Sequence, residues 1–193
     1  MKKLILASAS LRRRDLMNQI GLNFEIIPSN VNEAISEVEP IKLVQKLALL
    51  KAHEVAEKEF AKKSNALVIG ADTIVVDGQT ILGKPDTEET AIEMLRKLSG
   101  RQHRVMTGVA VVDSQSGKHC VDVEITHVFF RKLEEKEIYR YVATGEPMDK
   151  AGAYAIQGKA ALFVERIEGC FFNVVGLPLL KTVRLLKQAG WEY

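Results

Sequence analysis

Cysteine is almost missing from this chain of 193 residues: only Cys120 and Cys170 occur, far apart and in no CxxC or zinc-ligand spacing. That excludes a disulfide framework and a paired-cysteine metal site, and fits a reducing compartment with two structural thiols. A dominant charge is also lacking. Lys plus Arg number 27 against 25 Asp plus Glu, a formal net charge of +2, so nothing draws the whole molecule toward nucleic acid or anionic lipid. Aromatic residues make up 6% of the chain and do not interleave with basic ones as on a nucleic-acid platform. No apolar window approaches the ~18 residues of a membrane span. Lys2 and Lys3 precede "LILASASL" in the order of a signal peptide, but the apolar part is short and polar and "RRR" follows at once, so a cytoplasmic protein is expected. HExxH, GxSxG, internal repeats, low-complexity tracts and long linkers are absent.

What is present is a sizeable core, with 47% hydrophobic residues, enough for one domain over 1–193 or two closely packed lobes. Strand and helix signals alternate as in an α/β protein. Strands are predicted at "KLILA", "NFEIIPS", "ALVIGADTIVV", "HRVMTGVAVVD", "HCVDVEITHVFF" and "ALFVERIEG". Helices are predicted over 12–20, 41–61, 86–98, 134–143 and from Pro178 to near Gly190. "DGQTILGKP" has the turn chemistry of a hairpin and loop, and Asp86 with Glu89 that of a helix start. The two halves are expected to share one mixed sheet and face each other across a cleft.

Four features are not explained by local structure. Arg12, Arg13 and Arg14 occupy the first turn of a helix, where the exposed N–H groups and the macrodipole favour acids. Preceded by small Ser8, Ala9 and Ser10, this is either an anion site with added bidentate donors or a solvated basic tip helped by Asp15. Lys51 lies in the middle of the apolar stripe of Val44, Leu47, Ala48 and Val55, either snorkelling along it or reaching an anion in a cleft. Asp72 interrupts a run suited to a doubly covered strand. A buried carboxylate requires a cation, a metal or hydrogen-bond donors. "GQTILGKP" approaches a phosphate loop but places Pro85 where a hydroxyl must hold Mg²⁺, which excludes that motif and leaves Lys84 either as a second phosphate contact or as a plain loop lysine. His53, His103, His119 and His127 are scattered, and Glu33 reads as an ordinary acid in the polar stretch "SNVNEAISEVEP".

Taken in order, "LILASASLRRRDLM", "VIGADTIV", "LGKP", "LRKLSGRQHRVMTGVAV" and "EPMDKAGAYAIQG" make the chain similar, over nearly its whole length, to the Maf family of nucleoside triphosphate pyrophosphatases. The resemblance implies an inosine triphosphatase-like fold: an elongated, twisted mixed sheet flanked by helices, with two lobes around a nucleotide-binding cleft. It implies that Ser8, Ser10, Arg12 and Arg13 hold the triphosphate and that Asp72 is general base, metal ligand or both. Glu33 assists as a second metal ligand, and Lys51 and Lys84 stabilise phosphoryl charge, with Mg²⁺ or Mn²⁺ as cofactor. The implied reaction splits a nucleoside triphosphate into monophosphate and pyrophosphate, a house-cleaning of the nucleotide pool, without nucleic-acid or membrane partners and with a homodimer as one assembly. A non-catalytic nucleotide-binding regulator of septum formation is the alternative from another class. Thr73 and Gln157 match the branch of the family acting on dTTP and UTP rather than 7-methyl-GTP. A Gln amide suits the O4 and N3–H edge of uracil or thymine, Ala153 and Ala155 leave space for the base, and Tyr154 is the one aromatic near enough in sequence to stack on a methylated purine. One departure stands out: Leu11 replaces the family's usual proline before the arginine pair.

Overall fold

In the computed structural model, residues 2–33 and 39–192 are described, and they form a mixed α/β structure with one seven-stranded sheet. The strand order is β2 (Phe24–Ile26), β1 (Lys3–Leu6), β3 (Ala66–Asp77), β5 (Gln102–Asp113), β6 (His119–Phe130) and β7 (Val164–Glu168), with β4 (Thr80–Leu82) paired to β3. The chain divides into two compact units, residues 1–72, 107–124 and 176–193 in one and 73–106 with 125–175 in the other. Among the described residues no helix is long and apolar enough to cross a membrane.

In the first unit β1 (Lys3–Leu6) runs parallel to both β2 (Phe24–Ile26) and β3 (Ala66–Asp77), with Leu4 opposite Phe24 on one side and Leu67 on the other. Parallel strands covered on both faces read as continuous apolar runs, which is why "LILA" and "ALVIGA" were legible. Helix α1 (Leu11–Gln19) links β1 to β2, and Gly21 leaves it at φ +71. The connection to β3 is not the single helix expected over 41–61. Helix α2 (Pro40–Ala56) closes, Lys58 turns extended (φ −62, ψ 140), and a short α3 (Glu59–Lys63) follows. Lys58 pairs with Glu54 one turn back at 3.1 Å, and Ala61 of α3 is buried in the same core as α2.

That core is built from small side chains: Ala7, Ala48, Ala52, Ala56, Ala61, Ala66 and Ala110 with Ile5, Val55, Val68 and Val112. Two strand glycines bring α2 closer still. A Cβ on Gly70 would lie 2.2 Å from the Ala48 carbonyl oxygen, and one on Gly108 would lie 2.2 Å from that of Val44. Helix backbone therefore rests directly on strand backbone, an approach that only glycine permits. Helix α7 (Leu179–Gln188), entered through Pro178, completes this unit.

In the second unit, β4 (Thr80–Leu82) folds back on β3 across Gly78 (φ +59) and Gln79. Helix α4 (Glu88–Leu98) is capped by Thr87, whose hydroxyl accepts the Thr90 N–H at 3.2 Å; the cap expected at Asp86 lies one residue later because Thr87 is the extended residue. Strands β5 (Gln102–Asp113) and β6 (His119–Phe130) are sheet neighbours joined by residues 114–118. Helix α5 (Glu135–Val142) opens with a reciprocal capping box between Glu134 and Glu137. The strand predicted at "ALFVERIEG" is shorter: residues 159–163 coil as a 3₁₀ segment before β7 (Val164–Glu168) pairs antiparallel with β6. The short α6 (Phe171–Val175) had no counterpart in the sequence reading. This core is aromatic, with Phe130 edge-on to Tyr154 at 4.8 Å and Tyr141 edge-on to Phe163 at 5.1 Å.

Candidate active site

The loop from β1 into α1 is organised around two serine hydroxyls. Ser10 is the N-cap of α1, accepting the Arg13 N–H at 3.5 Å. Ser8 Oγ accepts the Ser10 N–H and the Arg13 guanidinium, each at 3.2 Å. Arg13 also donates through Nε to the Gly176 carbonyl at 2.9 Å. The first turn of α1 contains no acid, so its N–H groups, dipole and arginines all present positive charge in one place. Among the described residues Asp15 pairs with Arg14, at 3.0 Å. Arg14, paired with Asp15, fits the solvated-tip reading. Arg12 is half-buried and has no hydrogen bond or ion pair among the described residues.

Burial pulls the Arg13 pKa below its ordinary value; the Asp72 charge counteracts this, Arg12 adds to it and Glu33 counteracts it again. The serine–arginine loop and the two carboxylates therefore lie within electrostatic reach of each other. A partly desolvated guanidinium beside a second one is poorly compensated by water, and an anion with several oxygens would relieve both.

Lys51 resolves the second and third anomalies together. Its ammonium lies 2.7 Å from Asp72 Oδ1 and 2.9 Å from Glu33 Oε1. Lys51 and Asp72 are both buried, at 9% and 7% exposure, whereas the Glu33 side chain is more than half exposed. The local cause is geometric. Gly70 and Asp72 are two residues apart on β3 and so share a face, and that face meets α2 at Ala48 and Ala52, the helical neighbours of Lys51. Residues 34–38 of the polar stretch following Glu33 lie outside the described residues.

Thr73, Lys84 and Gln157 belong to the second unit. Thr73 follows Asp72 directly on β3 and is half-buried. Lys84 is exposed, without an ion pair among the described residues, and its loop is tied to the "DKAGAYAIQG" segment by the Gly152 N–H, which donates to the Gly83 carbonyl at 3.0 Å. Gln157 is exposed on a turn closed by the Gly158 N–H to the Ala155 carbonyl at 3.0 Å. Ala153, fully buried, holds φ +60, a left-handed conformation costing on the order of 1–2 kcal/mol for a residue with a Cβ. Tyr154 is turned into the core, its hydroxyl 2.8 Å from His103 Nε2, so it offers no exposed ring for stacking.

Three contributions escaped the sequence reading. Gly70 and Gly108 set the helix-to-sheet distance, and glycine in a strand interior was the available signal. Glu146, inside the quoted "EPMDKAGAYAIQG", bonds to both Tyr141 and the Lys159 N–H. His103 is a core residue, its pKa lowered to about 4 by burial. The other histidines converge on nothing: among the described residues no group of three or more His, Cys, Asp or Glu could hold a metal ion. Asp72 and Glu33 are a pair of carboxylates facing the same ammonium. This fits a Mg²⁺-like ion, which takes one or two carboxylates and completes its shell with water and substrate phosphates.

Fold and site together define an α/β protein that combines a serine-capped, arginine-bearing helix N-terminus with a lysine-bridged carboxylate pair. Comparison with known proteins gives the family. The model for the Maf-like protein family matches residues 3–189, and the chain belongs to that family. Among curated relatives, the dTTP/UTP pyrophosphatase of Geobacillus sp. (strain WCH70) is 56% identical over 99% of this chain and 100% of its own length. That of Pelotomaculum thermopropionicum is 52% identical over 100% and 99%, and that of Caldicellulosiruptor saccharolyticus 48% over 100% and 97%. Among solved structures, the Staphylococcus aureus Ham1 protein is similar at a TM-score of 0.45 with 18% identity, over 67% of this chain and 72% of that one, too loose a likeness to bear on function.

Proposed function

We propose that this chain is a nucleoside triphosphate pyrophosphatase that hydrolyses dTTP and UTP to the monophosphate and pyrophosphate, serving to clear the nucleotide pool. The observation that carries the reading is the Lys51 ammonium bridging Asp72 and Glu33, within the electrostatic reach of Arg13. The printed activity of full-length relatives at about half identity supports the substrate class. The family match over 3–189 supports treating 1–193 as one functional domain.

In this reading Ser8, Ser10, Arg12 and Arg13 bind the phosphate oxygens, and the α1 N-terminus adds its dipole. Asp72 orients the attacking water and takes its proton as the water attacks the α-phosphorus, with Glu33 assisting. Lys51 has three N–H donors; two serve the carboxylates and the third serves a phosphoryl oxygen. Lys84 adds a point charge for the departing pyrophosphate. When bound by Asp72 and Glu33, Mg²⁺ or Mn²⁺ supplies charge neutralisation on the phosphate oxygens. Thr73 and Gln157 read the pyrimidine edge.

Pyrophosphate release from dTTP, UTP and 7-methyl-GTP, measured side by side, tests the reading. The expected result is turnover of the two pyrimidine nucleotides well above that of 7-methyl-GTP, and a loss of roughly 100-fold or more in Asp72→Asn with nucleotide binding kept. A folded wild-type protein that binds nucleotide without turnover would establish the regulator instead.

A further inference from the structure

Gly158 follows Gln157 at φ −103, a backbone conformation open to any residue, so glycine is not required there for conformational freedom. Space is the issue there: a Cβ on Gly158 would lie 2.2 Å from Glu146 Oε1 and 2.6 Å from Oε2, so a side chain at 158 would have to displace the Glu146 carboxylate. The Glu146 carboxylate occupies the volume that a side chain at 158 would take. From there it accepts the Lys159 N–H at 3.2 Å and the Tyr141 hydroxyl at 2.9 Å. The same hydroxyl oxygen accepts the Ala155 N–H at 3.3 Å. Tyr141 is buried, and burial together with the hydrogen bond to Glu146 pushes its pKa up, so the phenol remains a donor. Glu146 is itself set by its own N–H, which donates to Thr144 Oγ1 at 3.3 Å. One phenol–carboxylate pair thus pins the turn on both sides of Gln157.

We propose that Glu146 and Tyr141 are positioning residues for base recognition, holding the 155–159 turn so that Gln157 presents its amide in one orientation. This rests on the base-reading role proposed above for Gln157. A fixed amide rejects a base that leaves it unpaired, whereas an amide on a loose turn can adapt. The pair therefore acts on discrimination between bases and leaves the triphosphate chemistry alone.

The test compares Glu146→Gln, Tyr141→Phe and Gln157→Ala with wild type. The readouts are kcat and KM for UTP and 7-methyl-GTP, inhibition by pyrophosphate, and hydrogen exchange at the amides of residues 155 and 159. Tyr141→Phe is expected to raise KM for UTP about tenfold, the scale of one hydrogen bond to a charged group. It should leave kcat within about twofold, reduce the preference for UTP, keep pyrophosphate inhibition and accelerate exchange at Ala155. Glu146→Gln, which retains one acceptor, should show a smaller effect in the same direction and faster exchange at Lys159. Folded variants with unchanged KM and unchanged preference, or with kcat lost at constant KM, would overturn the proposal. If Gln157→Ala abolishes the preference while the other two do not, only the bracing role fails. If Gln157→Ala leaves the preference intact, the base-reading role fails and the bracing role with it.

Discussion

The ammonium of Lys51 on α2 lies 2.7 Å from Oδ1 of Asp72 on β3, with both residues buried. Removing one partner of such a pair leaves the other charge desolvated. Lys51→Met is therefore expected to lower stability by about 2–3 kcal/mol, below the usual range for breaking a buried pair because the Arg13 charge still reaches Asp72. For a chain of this size the melting temperature falls by about 5–10 °C. Adding Asp72→Asn to the Lys51→Met background should restore most of that loss, and thermal melts of the two singles and the double decide it.

Gly70→Ala should separate the helix from the sheet. Its Cβ would lie 2.2 Å from the Ala48 carbonyl oxygen and 2.8 Å from the Ala52 nitrogen, so α2 must shift, and with it Lys51. A drop in melting temperature should accompany a fall in kcat of about tenfold or more, since a displacement near 1 Å can cost more than that in rate. Gly78→Ala is the control: nothing lies within 4 Å of its Cβ, and only the left-handed φ should cost it about 1 kcal/mol, with kcat unaffected.

His103 predicts a pH dependence of stability. Burial lowers its pKa from 6.5 to about 4, so the unfolded chain binds the proton more readily. The stability contributed by the neutral ring is fully present above pH 6.5 and is lost as the pH falls toward 4, up to about 3 kcal/mol. Urea denaturation from pH 7.5 down to 4.5 should give falling midpoints in wild type and a flatter profile in His103→Phe, which keeps an aromatic ring beside Phe130 and Tyr154. Identical slopes in the two proteins would rule out His103 as the group responsible.

Leu11 stands at the first position of α1, is 64% exposed, and follows Ser10 at φ −67, ψ 115. That is the extended conformation a residue before proline adopts, and the first helical position has no intrahelical use for its N–H. Leu11→Pro should add about 0.5–1 kcal/mol through the unfolded chain and leave substrate KM within twofold. Calorimetry with steady-state kinetics checks both; a loss of stability would mean that the loop depends on the Leu11 amide.

The amino-acid sequence by itself determined what depends on near neighbours. The doubly covered strands, α1 with its stop at Gly21, the hairpin at Gly78 and the concentration of positive charge at Arg12 and Arg13 all follow from periodicity and turn chemistry within a few residues. The motif order was enough to show the family resemblance. The buried lysine and the buried aspartate were each visible as anomalies, but not as partners, because the contact between residues 51 and 72 is made only when α2 lies on β3 at Gly70. Tertiary structure likewise divided the arginines, leaving Arg14 to Asp15 while Arg13 reached Ser8 and Gly176. It buried His103 against Tyr154, and it placed the Glu146 carboxylate in the space left by Gly158. Desolvation and ion pairing depend on what the rest of the chain packs around a group, and no local pattern carries that information.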